Sequence, residues 1–170
     1  MKQRSLRLVE TENRFAGLEP DELTESEAES LADPALRVLA AKHKKGQAIE
    51  NPEQTQAYLR LHLAERPSEV FACLYLDTRH RVIALEELFQ GTIDGASVHP
   101  REVVRRGLEC GSGAVILAHN HPSGVAEPSQ ADLRITQQLK NALALVDIRV
   151  LDHVIVATES SISFAQRGLL

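Results

Sequence analysis

Ala118-His119-Asn120-His121-Pro122-Ser123-Gly124-Val125-Ala126-Glu127-Pro128-Ser129-Gln130-Ala131-Asp132 carries two histidines one residue apart, then a serine and an aspartate at fixed offsets. The pattern reads His-x-His-x7-Ser-x2-Asp. The preceding run, Gly113-Ala114-Val115-Ile116-Leu117-Ala118, is small and apolar, as a buried strand requires. His119 and His121 then stand at the end of that strand, two residues apart and so on one side of it. Pro122, Ser123 and Gly124 break the strand and turn the chain. Ser129 has the chemistry of a helix N-cap, with an acid three positions on. Asp132 therefore falls in the first helical turn, where it can face back toward the histidines. Two imidazoles and a carboxylate, with a fourth position left for water, form the ligand set of a catalytic zinc site. A closed structural zinc site uses four protein ligands rich in Cys. Either half of the pattern alone has a plainer explanation: solvated loop histidines, or a simple cap. Their joint occurrence just after a buried strand favours the metal.

Other zinc signatures fit less well. The chain has no His-Glu-x-x-His, and no His-x-Glu paired with Pro-Cys-x-x-Cys.

At His119, His121, Ser129 and Asp132 the chain resembles the JAMM (MPN/JAB) metalloprotease superfamily, which includes zinc-dependent deubiquitinating isopeptidases. Within it, Gly91-Thr92, Val98-His99-Pro100-Arg101-Glu102, His119 to Gly124 and Leu151-Asp152-His153 are similar to the bacterial RadC branch. The resemblance covers about residues 65–170. It implies one Zn2+ per chain on His119, His121 and Asp132, with Ser129 as the oxyanion helper. It also implies an acid at the opening of a central strand well upstream as proton shuttle. On residue chemistry alone the shuttle is open among Glu69, Glu86, Glu87 and Glu102. Glu69, opening Glu69-Val70-Phe71-Ala72, occupies the family's place, with Glu102 as runner-up. Glu102 also reads simply as an acid favoured by a helix dipole. Ser129 serves equally as a cap, and one side chain is expected to serve one role at a time. His99 and His153 read as structural or supporting residues behind the ligands.

Working outward, the chain has 170 residues, 43% apolar and 25% charged, ordinary for a globular protein. No run approaches the roughly 20 apolar residues of a membrane span, and Met1-Lys2-Gln3-Arg4-Ser5 opens no signal peptide. The expected location is the cytoplasm, without a membrane partner. Cys73 and Cys110 read as buried free thiols. A net charge of −5 argues against a nucleic-acid partner. The small basic clusters, Lys42-His43-Lys44-Lys45 and Arg101 with Arg105-Arg106, read as solvated helix faces.

Residues 1–32 are polar and acidic and read as a flexible, disordered arm. Residues 33–64 read as a helical segment. Asp33-Pro34 looks like a cap and first helical residue, opening a helix over 35–45, and Asn51-Pro52 repeats the device before a helix over 53–64. Tyr58, Leu59, Leu61, His62 and Leu63 give that second helix a broad apolar side, His62 taken as a surface or packing residue. Residues 65–170 form the metal-binding domain. Strands are expected over 69–76 and 81–86 as a hairpin, near 93–98, over 113–118, 147–156 and 161–164. Helices are expected over 99–110, with Val103, Val104, Leu108 and Cys110 apolar, and from Ser129 onward, with Leu133, Ile135, Leu139, Ala142, Leu143, Leu145 and Val146 inward. The expected class is α/β, a mixed sheet flanked by helices, because a hairpin excludes a purely parallel sheet. The resemblance implies the same, a curled sheet of cytidine-deaminase-like architecture.

Longer RadC proteins carry a helical DNA-binding-type region at the N-terminus, and the acidic segment before residue 50 does not match it. This chain is therefore expected to be a short form without that region. Three functions follow: a zinc hydrolase of peptide or isopeptide bonds acting on a protein or peptide, a DNA-repair accessory, or a catalytically silent interaction module. The first leads, since the ligand set is complete and the chain is acidic. Oligomeric state, a homo-oligomer included, is left open.

Overall fold

The apolar run of β1, Val70–Leu76, is buried at every position, and so is that of β3, Ala114–Asn120. Strands with no exposed side belong in the middle of a sheet covered on both faces. The computed structural model describes residues 23–42, 46, 48, 49, 52–91 and 98–170, and places both strands there. β2 is Val82–Gln90, β4 is Arg149–Val156 and β5 is Ser161–Ser163. Among the described residues the sheet runs β2-β1-β3-β4-β5. β1 is antiparallel to both neighbours, β3 and β4 are parallel, and β5 returns antiparallel. This is the mixed α/β sheet that the sequence predicts.

Period-two alternation sorts the side chains of β1 and β3 between the two faces. Val70, Ala72, Leu74, Leu76, Ala114, Ile116 and Ala118 meet Leu59 and Leu63 of α2, Pro52–Leu63. Phe71, Cys73, Tyr75, Val115 and Leu117 meet Val103 of α3, Pro100–Glu109, and Leu139 and Leu143 of α4, Gln130–Ala144. The result is three layers, with His119 on the α3/α4 side.

The helices bury narrower stripes than expected. In α2 the inner line is Thr55, Leu59 and Leu63, while Leu61 faces solvent and His62 meets Glu87 at 3.2 Å. In α3 it is Val103 and Gly107, with Leu108 exposed; in α4 Leu145 is 86% exposed beyond the helix. Burial pushes the Cys73 thiol up to about 12, as an inert core group, whereas Cys110 is only half-buried.

β2 runs four residues past the expected hairpin arm. Glu86 interrupts its apolar pattern but is held by the guanidinium of Arg106, Nε to Oε2 at 2.6 Å. That hydrogen bond, opposed by partial burial, lowers the carboxyl's pKa. A lowered folded-state pKa gives stability that is present above the unfolded value and lost as pH falls through the folded one. The gap in melting temperature between wild type and Glu86→Gln should therefore be widest near neutrality. It should close as pH falls below the ordinary carboxylate value; a gap independent of pH would remove the pair from the stability account.

The chain divides at Pro34 into Met1–Pro34 and Ala35–Leu170. The helix expected over 35–45 begins earlier: α1 is Glu25–Lys42, with Pro34 inside it. Thr24 precedes it, with its N–H and hydroxyl both donating to Glu27 Oε2 at 2.9 and 2.6 Å. Residues 25–32 of the expected disordered arm are thus helical. The arm's residues 1–22, the basic His43, Lys44 and Lys45, and the expected strand near 93–98 apart from Val98 lie outside the described residues.

Candidate metal centre

His119 and His121 leave the C-terminal end of β3 on one face, and the amide of His121 is held by Val156 O at 2.7 Å. The following loop reaches Ser129, which caps α4: its Oγ accepts from Asp132 N at 3.1 Å, and its own N–H donates to Asp132 Oδ2 at 2.7 Å. This reciprocal box fixes Asp132 in the first turn and turns its carboxylate to the histidines. His119 Nε2 lies 3.2 Å from Asp132 Oδ1, His121 Nε2 3.5 Å from Asp132 Oδ2, and the two Nε2 atoms 3.0 Å apart. Ligand atoms of the three residues all fall within 4.8 Å of one another, so the group can hold a metal ion.

The electrostatics of the group call for a positive charge. His121 Nδ1 lies 2.8 Å from the carbonyl of Val125. A carbonyl only accepts, so Nδ1 carries the proton and a neutral His121 presents a bare Nε2 to the centre. The Asp132 hydrogen bond raises the pKa of His121, with burial opposing and the charge of Glu69 adding. Burial works to raise the pKa of Asp132 but is outweighed by the bonds to His119 and His121, which hold it well below the carboxylate range. A proton or a metal cation satisfies this arrangement of two imidazole nitrogens about a carboxylate. The donor set, imidazole nitrogen and carboxylate oxygen, suits a borderline cation.

The antiparallel register pairs Phe71 with His119. Glu69 immediately precedes β1, is half-buried, and its charge acts on His121. The register depends on Asn120, which is fully buried. Its Oδ1 accepts from Val70 N at 2.8 Å, and its Nδ2 donates to Ser68 O at 3.1 Å and Arg66 O at 3.3 Å. Asn120 thereby fastens the segment carrying Glu69 to the end of the histidine strand. Asn120→Ala is expected to cost about 1–3 kcal/mol, because Val70 N–H is left buried without an acceptor. Chemical denaturation of both proteins measures it, and unchanged stability would contradict the clamp.

His153 lies fully buried behind His119, its Nε2 2.8 Å from His119 Nδ1. Its other nitrogen, Nδ1, is 2.6 Å from Thr136 Oγ1. His99 and Glu102 have partners outside the group. His99 precedes α3 with its ring edge-on to Phe89, and Glu102 is held by Arg105 at 3.0 Å and Arg101 at 3.5 Å. Glu87 is bound to Arg66 at 2.6 Å, and Glu86 to Arg106. Of the two roles expected of Ser129, the structure describes the cap. The cap uses the hydroxyl as an acceptor, which leaves its O–H proton able to donate elsewhere. Nothing in the sequence marks the clamp at Asn120, and Thr136 shows only its place one helical turn beyond Asp132.

Among the described residues no helix is long and apolar enough to cross a membrane. Residues 49–169 match the RadC-like JAB domain. The chain is 66% identical over 127 residues to a UPF0758 protein of Nitrosococcus oceani, covering 75% of this chain and 57% of the relative. It is 59% identical over 145 residues to a UPF0758 protein of Thioalkalivibrio sulfidiphilus, covering 85% and 65%. A UPF0758 protein of Methylibium petroleiphilum is 56% identical over 145 residues, with the same coverage. The chain thus spans about three-fifths of the length of these relatives. With the match running through both central strands and the whole of the histidine–aspartate group, the chain belongs to the RadC-like JAB domain family.

Proposed function

We propose that this chain is a zinc-dependent hydrolase of peptide or isopeptide bonds. The observation that carries the reading is the convergence of His119, His121 and Asp132 at the sheet end, and the charge of Glu69 acting on His121 supports it. Zinc would be held by Nε2 of both histidines and by the Asp132 carboxylate. When bound, it supplies the Lewis acidity that makes a water nucleophilic near neutral pH.

The protein's own groups do the rest. The Glu69 carboxylate takes the proton of the attacking water and returns it to the leaving amine nitrogen. The Ser129 O–H, free of the cap, donates to the scissile carbonyl oxygen as negative charge gathers there. The box between Ser129 and Asp132 holds donor and ligand on one helical turn, so neither has to be ordered when substrate arrives. Glu102, committed to two arginines on α3, is placed to stabilise the helix rather than move protons. An interaction module would have no use for an acid facing two converging imidazoles, and the chain's negative charge offers nothing to a DNA backbone.

The test is hydrolysis of a peptide and isopeptide library by the purified chain. Cleavage should cease on chelation and return with added Zn2+. Cleavage indifferent to a chelator, or none across a broad library, contradicts the reading.

A further inference from the structure

Thr136 and His153 form a line of hydrogen bonds that ends on His119, and its direction can be read from its far end. Thr136 Oγ1 is 2.5 Å from the backbone carbonyl of Asp132. A carbonyl offers no proton, so the threonine hydroxyl donates to it and spends its only hydrogen there. The same oxygen is 2.6 Å from His153 Nδ1 and can only accept, so Nδ1 of His153 is protonated. His153 has no exposed surface and sits against Phe71 and Phe164, surroundings that hold a neutral ring. A neutral ring protonated at Nδ1 is bare at Nε2. The 2.8 Å contact with His119 then requires His119 Nδ1 to donate, which leaves His119 Nε2 as a lone pair facing Asp132 and His121.

His153 reaches this position through an irregularity in β4. The pairing of β3 with β4 slips by one residue between Val115 and Ile116. Val150 packs on the α3/α4 side and Leu151 on the α2 side. Strict alternation would turn His153 away with Leu151; the extra residue returns it to the ring of His119.

We propose that Thr136 and His153 are positioning residues that fix the tautomer of His119, so that both histidines present bare Nε2 atoms to one divalent cation. The inference rests on the metal-site reading above. If the line were broken at Thr136, His153 could protonate at Nε2 instead and drive the His119 proton onto the nitrogen that faces the cation.

The test measures zinc affinity of the full chain by competition with a chromophoric chelator. Thr136→Val, which keeps the shape and removes the hydroxyl, should weaken binding about 10–100-fold, and Thr136→Ser should restore it. Equal affinity in Thr136→Val and wild type overturns the relay while leaving the ligand set standing. A wild-type chain that binds no zinc overturns the ligand set and the relay with it. Should Thr136→Val fail to fold, nitrogen-15 NMR of the histidine rings in metal-free wild type at alkaline pH decides. The expected result is Nδ1–H on His119, His121 and His153; a His119 ring protonated at Nε2 overturns the proposal.

Discussion

His121→Ala is expected to take bound zinc from near one per chain to near none, measured by elemental analysis of protein purified and dialysed identically with wild type. The site as proposed has three protein ligands, and two are left without His121. Among the described residues the only group of this kind is His119, His121 and Asp132. The fold should survive, since His121 stands at the end of β3 and is partly exposed. His119→Ala should lose zinc equally but cost more stability, because that ring is buried between Phe71 and His153. Equal zinc in His121→Ala and wild type would show that the metal sits elsewhere.

Glu69→Gln is expected to keep zinc and fold while hydrolysis falls by a factor of about 10²–10⁴. Glutamine preserves the shape of the side chain but cannot take a proton from water. The effect separates an enzyme from a protein that merely binds a metal. Glu102→Gln should leave the chemical step alone, since its carboxylate is bound to Arg101 and Arg105. Full turnover in Glu69→Gln with loss in Glu102→Gln would transfer the proton-shuttle role. The comparison requires steady-state rates of the two variants and wild type on one cleaved substrate.

The histidine–aspartate group was legible because every step in building it is local. Two residues along a strand put His119 and His121 on one side, and one capping box puts Asp132 in the first turn of α4. What was not legible depends on pairing between distant segments. Nothing near Glu69 in the sequence says that its charge will act on His121, which follows from the pairing of β1 with β3. The face taken by His153 depends on a slip in β4 that leaves no mark in Leu151-Asp152-His153, where an apolar and a polar residue precede the ring without clear alternation. Asn120 reads as a spacer between two histidines until its amide is seen to hold Val70, Ser68 and Arg66. The mixed sheet was clear from its apolar strands, but α1 was not. Asp33-Pro34 imitates a helix start, while the real start after Thr24 is submerged in acidic composition.

Anomalous diffraction at the zinc edge, from crystals of the wild-type chain grown without added metal, tests the central claim most directly. A single strong peak about 2.0–2.2 Å from Nε2 of His119, Nε2 of His121 and a carboxylate oxygen of Asp132 is the result expected. A peak bound by other residues, or no peak at that group in protein shown to contain zinc, would contradict it.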